Sequence, residues 1–224
     1  AKVTEARQQA AIAEKKTLLR NVDEADGLKL HPLAWGKSGP LVRAEGLSLS
    51  YGGRTVCAGL TFTLRPGERM AVTGPNGCGK STLLKKLCGQ DVAACGTLAL
   101  GAGLIVSYVP QDASFLHGGA RDYARNAGVD ETMFLTLLRK LGFERVQFEK
   151  DMADYSAGQK KKVLLARSLC ESAHLYLWDE PLNYIDVLSR MQIEQLLLDY
   201  RPTMLFVEHD AAFVRRAATG TLAL

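Results

Sequence analysis

The stretch Gly74-Pro75-Asn76-Gly77-Cys78-Gly79-Lys80-Ser81-Thr82 decides the fold of this chain, because it fits the pattern G-x-x-x-x-G-K-[ST]. The apolar run Arg69–Thr73 before it predicts a strand, and Lys80–Leu87 predicts the helix that follows. Glycines let backbone N–H groups curl around phosphate oxygens, and a helix N-terminus adds positive potential. We therefore expect Gly74–Thr82 to bind nucleotide phosphates, with Lys80 at the β- and γ-phosphates and the Ser81 hydroxyl on Mg²⁺.

A second motif lies downstream, where the apolar run Leu175–Asp179 predicts a buried strand that ends in a carboxylate. Asp179 is suited to a second Mg²⁺ contact beside the phosphates. Glu180 follows at once, and it is placed to accept a proton from the attacking water. Both acids could instead merely cap a strand end in contact with solvent, but the phosphate loop favours the catalytic interpretation.

Composition sets the broad class. The chain has 224 residues, 47% hydrophobic and 23% charged, which is ordinary for a globular protein. No apolar run approaches the roughly 18 residues of a membrane span, so we expect no direct membrane insertion. No signal peptide is visible, and the net charge of +4 is too small to indicate nucleic-acid binding. The odd, unpatterned set of five cysteines predicts free thiols in the cytoplasm.

The pattern along the chain predicts an α/β fold of the P-loop NTPase type. Val42–Ser50 and Val56–Leu64 predict an antiparallel pair around a glycine turn, and later strands alternate with helices, which indicates a mostly parallel core sheet. The further strands are expected at Arg69–Thr73, Thr97–Leu100, Leu104–Val109, Leu175–Trp178 and Thr203–Val207, and the helices at Lys80–Leu87, Gly158–Ser172 and Leu188–Asp199. Asp112–Lys150 is helical in tendency, most clearly over Met133–Leu141, so residues 112–170 are expected to form a helical insertion.

The first 40 residues have a different character. Lys2–Arg20 has strong helix composition with few large apolar residues, and we expect such a helix to pack on something else. Asn21–Pro40 contains Gly27, Pro32, Gly36 and Gly39 and predicts a loose connection. We therefore expect residues 1–40 to be the end of an inter-domain linker and residues 41–224 the nucleotide-binding domain. The chain does not begin with Met, so we expect a fragment of a longer protein.

Between the two phosphate motifs lies the segment Tyr155-Ser156-Ala157-Gly158-Gln159. A Ser-x-Gly-Gln element at this point resembles the signature of ATP-binding-cassette (ABC) ATPases, and the resemblance covers about residues 41–224. It implies an ABC-type ATPase that uses ATP and Mg²⁺. It also implies that the signature residues Ser156, Ala157, Gly158 and Gln159 face the nucleotide of a second ABC domain. Hydrolysis by an isolated domain is therefore expected to be weak.

The resemblance extends to residues that would carry no meaning alone. Gln111 is similar to the family's Q-loop glutamine, which senses Mg²⁺ and the attacking water, and His209 resembles the switch histidine that contacts the γ-phosphate. Tyr51 resembles the aromatic residue that stacks on adenine. A tyrosine at a strand end could instead pack on its sheet. Asn183 and Asp186 fall in the position of the D-loop.

Further residues narrow the resemblance to one subfamily of ABC proteins. Asn183 with Asp186, and a charged helix ahead of the domain, resemble the second cassette of ABC-F proteins, which carry two ABC domains in one polypeptide. Phrases such as YSAGQKKKVLLARSL are similar to the antibiotic-resistance branch, which protects ribosomes. The implied partners are a second ABC domain, in the same polypeptide or as a self-dimer, and the ribosome. Ala157 replaces the family's usual glycine and could weaken contact with the partner's nucleotide, and Cys78 replaces a more usual small residue.

Two other classes remain open. An ATPase subunit of a membrane transporter would need a surface within Gln111–Lys150 that couples to its membrane partner, and that segment is short. A DNA-repair or chromosome-maintenance ATPase would carry long coiled coils or zinc clusters, and the unpatterned cysteines disfavour zinc. The run Lys160–Lys162 is expected to be a solvated helix face.

Overall fold

The computed structural model describes residues 28–224. The predicted helix Lys2–Arg20 and the first part of the predicted connection lie outside the described residues. The core is a five-stranded sheet in which each strand runs parallel to its neighbours, in the order β10-β4-β9-β8-β6. Its strands are β4 (Arg69–Thr73), β6 (Val106–Val109), β8 (Leu175–Asp179), β9 (Met204–Val207) and β10 (Gly220–Ala223).

The central strands β8 and β9 are buried along their whole length, which is what a sheet covered on both faces requires. An antiparallel sheet of order β3-β2-β5 packs beside this core, and the α/β prediction with both sheets is confirmed. Its strands are β2 (Val42–Tyr51), β3 (Arg54–Leu64) and β5 (Ala93–Leu100). Within residues 28–224, no helix is long and apolar enough to cross a membrane.

Helices surround the sheets. They are α1 (Lys80–Leu87), α2 (Ala120–Asn126), α3 (Glu131–Lys140), α4 (Ala157–Cys170), α5 (Val187–Tyr200) and α6 (Ala211–Ala217), with 3₁₀ turns at Arg145–Glu149 and Met152–Asp154. The long helical tendency predicted for Asp112–Lys150 is divided into short pieces. Gly128 and Gly142 follow the ends of α2 and α3 and adopt positive φ, which favours glycine and ends a helix, whereas Gly118, also with positive φ, lies in the loop before α2.

Residues before the predicted boundary at 41 are attached to the domain. Strand β1 (His31–Pro32) pairs in parallel with β7 (Ser172–Ala173), and the Leu33 amide donates to the Ala173 carbonyl at 2.8 Å. Leu30 is buried in the main core. Trp35 meets His174 edge to face, with ring centroids 5.3 Å apart. Leu28, Leu30 and Trp35 thus anchor the described part of the predicted loose connection to the domain, while Leu33 and most of its other residues are exposed.

Candidate nucleotide site

The phosphate loop joins β4 to α1, as the motif predicts. Gly77 and Gly79 have φ of +80° and +99°, a region that favours glycine. Gly79 caps α1, and a Cβ on it would lie 3.1 Å from the Val56 side chain. Lys80 is buried, and its Nζ donates to the Gly74 carbonyl at 2.9 Å and the Pro75 carbonyl at 3.0 Å. The ammonium is thus held over the inside of the loop, where phosphate oxygens would bind.

Asp179, the last residue of β8, is 1% exposed. Burial raises its pKa above the ordinary 3.8, and the Ser81 hydroxyl and the Lys161 ammonium act in the opposite direction. The Ser81 hydroxyl lies near the carboxylate without the geometry of a hydrogen bond, and neither carboxylate oxygen has a hydrogen-bond partner among the described residues. A buried carboxylate without a partner is costly. Asp179 beside Ser81 therefore fits a divalent cation.

Few protein ligands are available to that cation. No cluster of three or more His, Cys, Asp or Glu residues able to hold a metal occurs within the described part of the chain. Mg²⁺ commonly uses one or two protein groups together with substrate phosphates and water. Ser81 and Asp179 provide two such groups, and Gln111 donates to Glu180, the residue that follows Asp179.

Glu180 lies at the centre of a hydrogen-bond network. Its Oε2 accepts from Gln111 Nε2 at 3.0 Å and from Asn183 Nδ2 at 2.6 Å, and its Oε1 lies 3.1 Å from His209 Nε2. The backbone of Glu180 has φ of +48°, uncommon for a residue with a side chain. The structure thus brings Gln111, Glu180 and His209 together from three separate loops. Asn183, which was predicted only as a D-loop residue, also contacts Glu180.

Glu208 is a further acid that the sequence did not single out. Its Oε1 accepts from the Leu182 amide at 2.7 Å, which ties the segment before His209 to the segment after Glu180. Burial raises the pKa of Glu208 above 4.5, the Leu182 and His209 amides and Arg190 lower it, and the charge of Glu180 adds to the increase. Its position immediately before His209 was the available signal.

Tyr51 ends β2 and is 67% exposed, so it does not pack on its sheet. The Nζ of Lys85, on the helix that follows the phosphate loop, lies 6.0 Å from the centroid of the tyrosine ring. The ring is therefore near the phosphate loop helix and has accessible surface for stacking.

The signature begins helix α4. Ser156 Oγ accepts from the Gln159 amide at 3.2 Å, and Gln159 Oε1 accepts from the Ser156 amide at 2.9 Å, which forms a capping box. Ser156 and Ala157 are exposed, whereas Tyr155 is buried and donates to the Gln147 carbonyl at 2.6 Å. The start of the helix is fixed within the domain, and its tip faces outward.

The expectation that Lys160–Lys162 is a solvated face is wrong for Lys161. That residue is 4% exposed, and its Nζ donates to the Pro110 carbonyl at 2.9 Å and the Asp179 carbonyl at 3.3 Å. Lys162 Nζ contacts Asp186 Oδ2 at 2.6 Å. The two side chains are shielded from water because Pro110 of the Q-loop and Asp179 of β8 contact Lys161, and Asp186 of the D-loop contacts Lys162.

Comparison with known proteins agrees with this geometry. A family model described as "ABC transporter" matches residues 57–183. ATP-binding protein Uup of Caulobacter vibrioides is 33% identical over 199 residues, which cover 84% of this chain and 33% of that protein. Ribosome protection protein VmlR of Bacillus subtilis is 29% identical over 188 residues, which cover 82% of this chain and 34% of VmlR. The chain thus spans about a third of the length of either relative.

Two further matches are to a zinc-import protein and to a solved structure. Zinc import ATP-binding protein ZnuC of Ruegeria pomeroyi is 34% identical over 193 residues, which cover 83% of this chain and 75% of ZnuC. Among solved structures, a chain in the complex of archaeal ribosomal stalk protein aP1 with archaeal ribosome recycling factor aABCE1 superimposes with a TM-score of 0.66. It is 24% identical, over 88% of this chain and 40% of that one, and it supports the fold.

Proposed function

The chain belongs to the ABC family, whose domains bind ATP, generally hydrolyse it and work in pairs, and we propose that it is the second ATPase cassette of an ABC-F protein. The observation that carries the proposal of hydrolysis is the Glu180 carboxylate, held between Gln111, Asn183 and His209 directly after Asp179. In this proposal residues 41–224 form the cassette and residues 1–40 are the end of the linker, which attaches to the cassette through β1, Leu30 and Trp35.

The chemistry follows from the placement of these groups. ATP lies on the amides of Gly74–Thr82, with Lys80 at its β- and γ-phosphates and Tyr51 stacked on adenine. Ser81 and Asp179, with Gln111, would hold Mg²⁺, which would neutralise phosphate charge.

The proposed base is Glu180. Its carboxylate accepts a proton from the water whose oxygen bonds to the γ-phosphorus, while the bond from that phosphorus to the β–γ bridging oxygen breaks and ADP leaves. Gln111 and His209 hold the carboxylate, which leaves it aligned for that proton. His209 is also the group expected to contact the γ-phosphate.

The exposed tip of α4 supports the second part of the proposal. Ser156 and Ala157 are exposed, and the side-chain hydrogen bonds of Ser156 and Gln159 stay within the signature itself. A second cassette that presents its nucleotide here would meet the helix N-terminus. We therefore expect slow turnover from the single domain. Brisk hydrolysis by a protein shown to be monomeric would count against this pairing.

The relatives support the ABC-F assignment. The chain matches only about a third of Uup and of VmlR, as a single cassette of a longer protein would. VmlR is named as a ribosome protection protein, which supports the ribosome as partner. The cytoplasm as location and antibiotic resistance as the role are further parts of the proposal. The match to ZnuC supports a second candidate, the ATPase subunit of a membrane transporter.

A pelleting experiment separates the two candidates. The intact protein carrying Glu180→Gln is incubated with ATP and centrifuged with purified ribosomes or with membrane vesicles from the same cells. Glu149→Gln, an exposed acid outside the site, is the control. ATP-dependent pelleting with ribosomes, stronger for Glu180→Gln than for the control, is expected. Pelleting with vesicles and not with ribosomes would overturn the ABC-F proposal and favour the transporter subunit.

A further inference from the structure

We propose that Asn183 is a positioning residue for the catalytic carboxylate of Glu180, an inference that rests on the proposed ATP hydrolysis. Its Nδ2 donates to Glu180 Oε2 at 2.6 Å, shorter than the contacts from Gln111 and His209 at 3.0 and 3.1 Å. A hydrogen bond to an ionised acceptor is among the stronger kinds. Asn183 therefore restricts the rotation of the base about its side-chain bonds.

The three contacts have different origins. Gln111 follows β6 and His209 follows β9, so both reach Glu180 from loops distant from it in sequence. Asn183 lies in the turn that starts at Glu180 itself, and its amide approaches the Glu180 carbonyl at 3.5 Å. It can hold the carboxylate whether or not the other two loops are in place.

The backbone immediately before Asn183 is held by hydrogen bonds. The Leu182 amide donates to Glu208 Oε1 at 2.7 Å, and the Leu182 carbonyl accepts from Arg190 Nη2 at 2.9 Å. Leu182 is itself buried. A side chain that extends from so fixed a backbone has little freedom, so the amide is preorganised toward Glu180.

The turn is also clamped on its far side. The Tyr184 backbone has φ of +64° and lies against the first turn of α4 at Gly158. Asp186 continues the clamp through its ion pair with Lys162 at 2.6 Å. The segment that bears Asn183 thus contacts both Glu180 and the signature helix α4, and these contacts hold it in place.

The test compares two substitutions at 183 in the intact protein. Asn183→Ala removes the donor, and Asn183→Asp keeps the shape but replaces the donor with a carboxylate. Both are expected to lower kcat for ATP by roughly 10- to 100-fold, with the ATP dissociation constant within about twofold and the melting temperature nearly unchanged. Gln195→Ala, which removes an amide that donates to Asp199 at 2.8 Å on an exposed helix face, is the matched control and should keep the normal rate.

A double substitution distinguishes positioning from a general structural role. If Asn183 acts through Glu180, then Asn183→Ala should not lower the residual single-turnover rate of Glu180→Gln any further. The inference is overturned if either variant at 183 keeps the normal kcat, if the decreases multiply in the double variant, or if Asn183→Ala weakens ATP binding as much as it slows turnover. Failure of the proposed function looks different, because Glu180→Gln itself would then leave hydrolysis unchanged.

Discussion

Gly158 lies so close to the main chain of Tyr184 that a Cβ on it would be 2.4 Å from the Tyr184 carbonyl oxygen. A separation this short cannot persist, and the obstacle is backbone rather than a flexible side chain. Glycine at this position of the signature therefore has a role inside its own domain, since it lets the D-loop pack against α4. That role is separate from any contact with a partner's nucleotide.

In an exposed helix, changing glycine to alanine stabilises by about 1 kcal/mol. At Gly158 the overlap should reverse the sign, and Gly158→Ala should lower the free energy of unfolding by roughly 1–3 kcal/mol. Ala157→Gly, at the exposed neighbouring position, should cost no more than about 1 kcal/mol. Urea unfolding measures both, and stabilisation by Gly158→Ala would show that the D-loop is not packed there.

Lys161 offers a second prediction, on the buried part of the lysine run. Lys161→Met removes a donor from the buried carbonyls of Pro110 and Asp179, and it should destabilise the domain by about 1–3 kcal/mol. Lys160→Met removes the same charge from a less buried position of the same helix and should change stability by about 0.5 kcal/mol or less. Thermal melting of the two variants compares them directly. Equal effects would mean that Lys161 is not a buried donor.

The pH dependence of stability should report on Glu208. Because its pKa in the folded protein is raised above 4.5, chiefly by burial, the unfolded chain releases the proton first as pH rises. Ionisation of Glu208 therefore lowers stability from about pH 4.5 up to its folded pKa. Glu208→Gln is neutral throughout, so its stability relative to the normal protein should increase between pH 4 and pH 8. Urea unfolding across this range would contradict the assignment if the stability of Glu208→Gln relative to the normal protein stayed constant or decreased as pH rises.

The domain boundary can be measured by truncation. A fragment of residues 41–224 loses buried Leu30, the β1–β7 pair and the Trp35 ring, onto whose Cη2 a Cβ at Gly101 would project at 2.4 Å. It should be less stable than a fragment of residues 28–224 by at least about 2 kcal/mol. Equal unfolding midpoints would place the structural boundary at residue 41 after all.

Local patterns account for what could be predicted from the sequence. The glycine loop, the strand that ends at Asp179 and the helix that starts at the signature each depend on neighbouring residues, and their approximate positions were predictable. Helix α6 and strand β10 were not predicted, because both are short and apolar patterns of that length are ambiguous. The capping of α6 by Asp210, whose Oδ1 accepts from the Ala212 and Phe213 amides, was a usable signal.

Long-range contacts account for what could not be predicted. Lys161 is buried because Pro110 and Asp179, distant in sequence, supply carbonyl partners. Leu30 is buried because the core of the domain has room for it beside β7, although glycine and proline around it favour a loop. Neither partner set is encoded in the local pattern. In both cases composition alone indicated exposure.

We propose above that Glu180 is the base of an ATP-hydrolysing site. Single-turnover hydrolysis of ATP by the intact protein carrying Glu180→Gln, with ATP binding measured in parallel, tests it most directly. We predict a rate lower by roughly 10²- to 10⁴-fold, since a general base contributes that much, with ATP binding retained. Hydrolysis at the normal rate by this variant would contradict the claim and remove Glu180 from the mechanism.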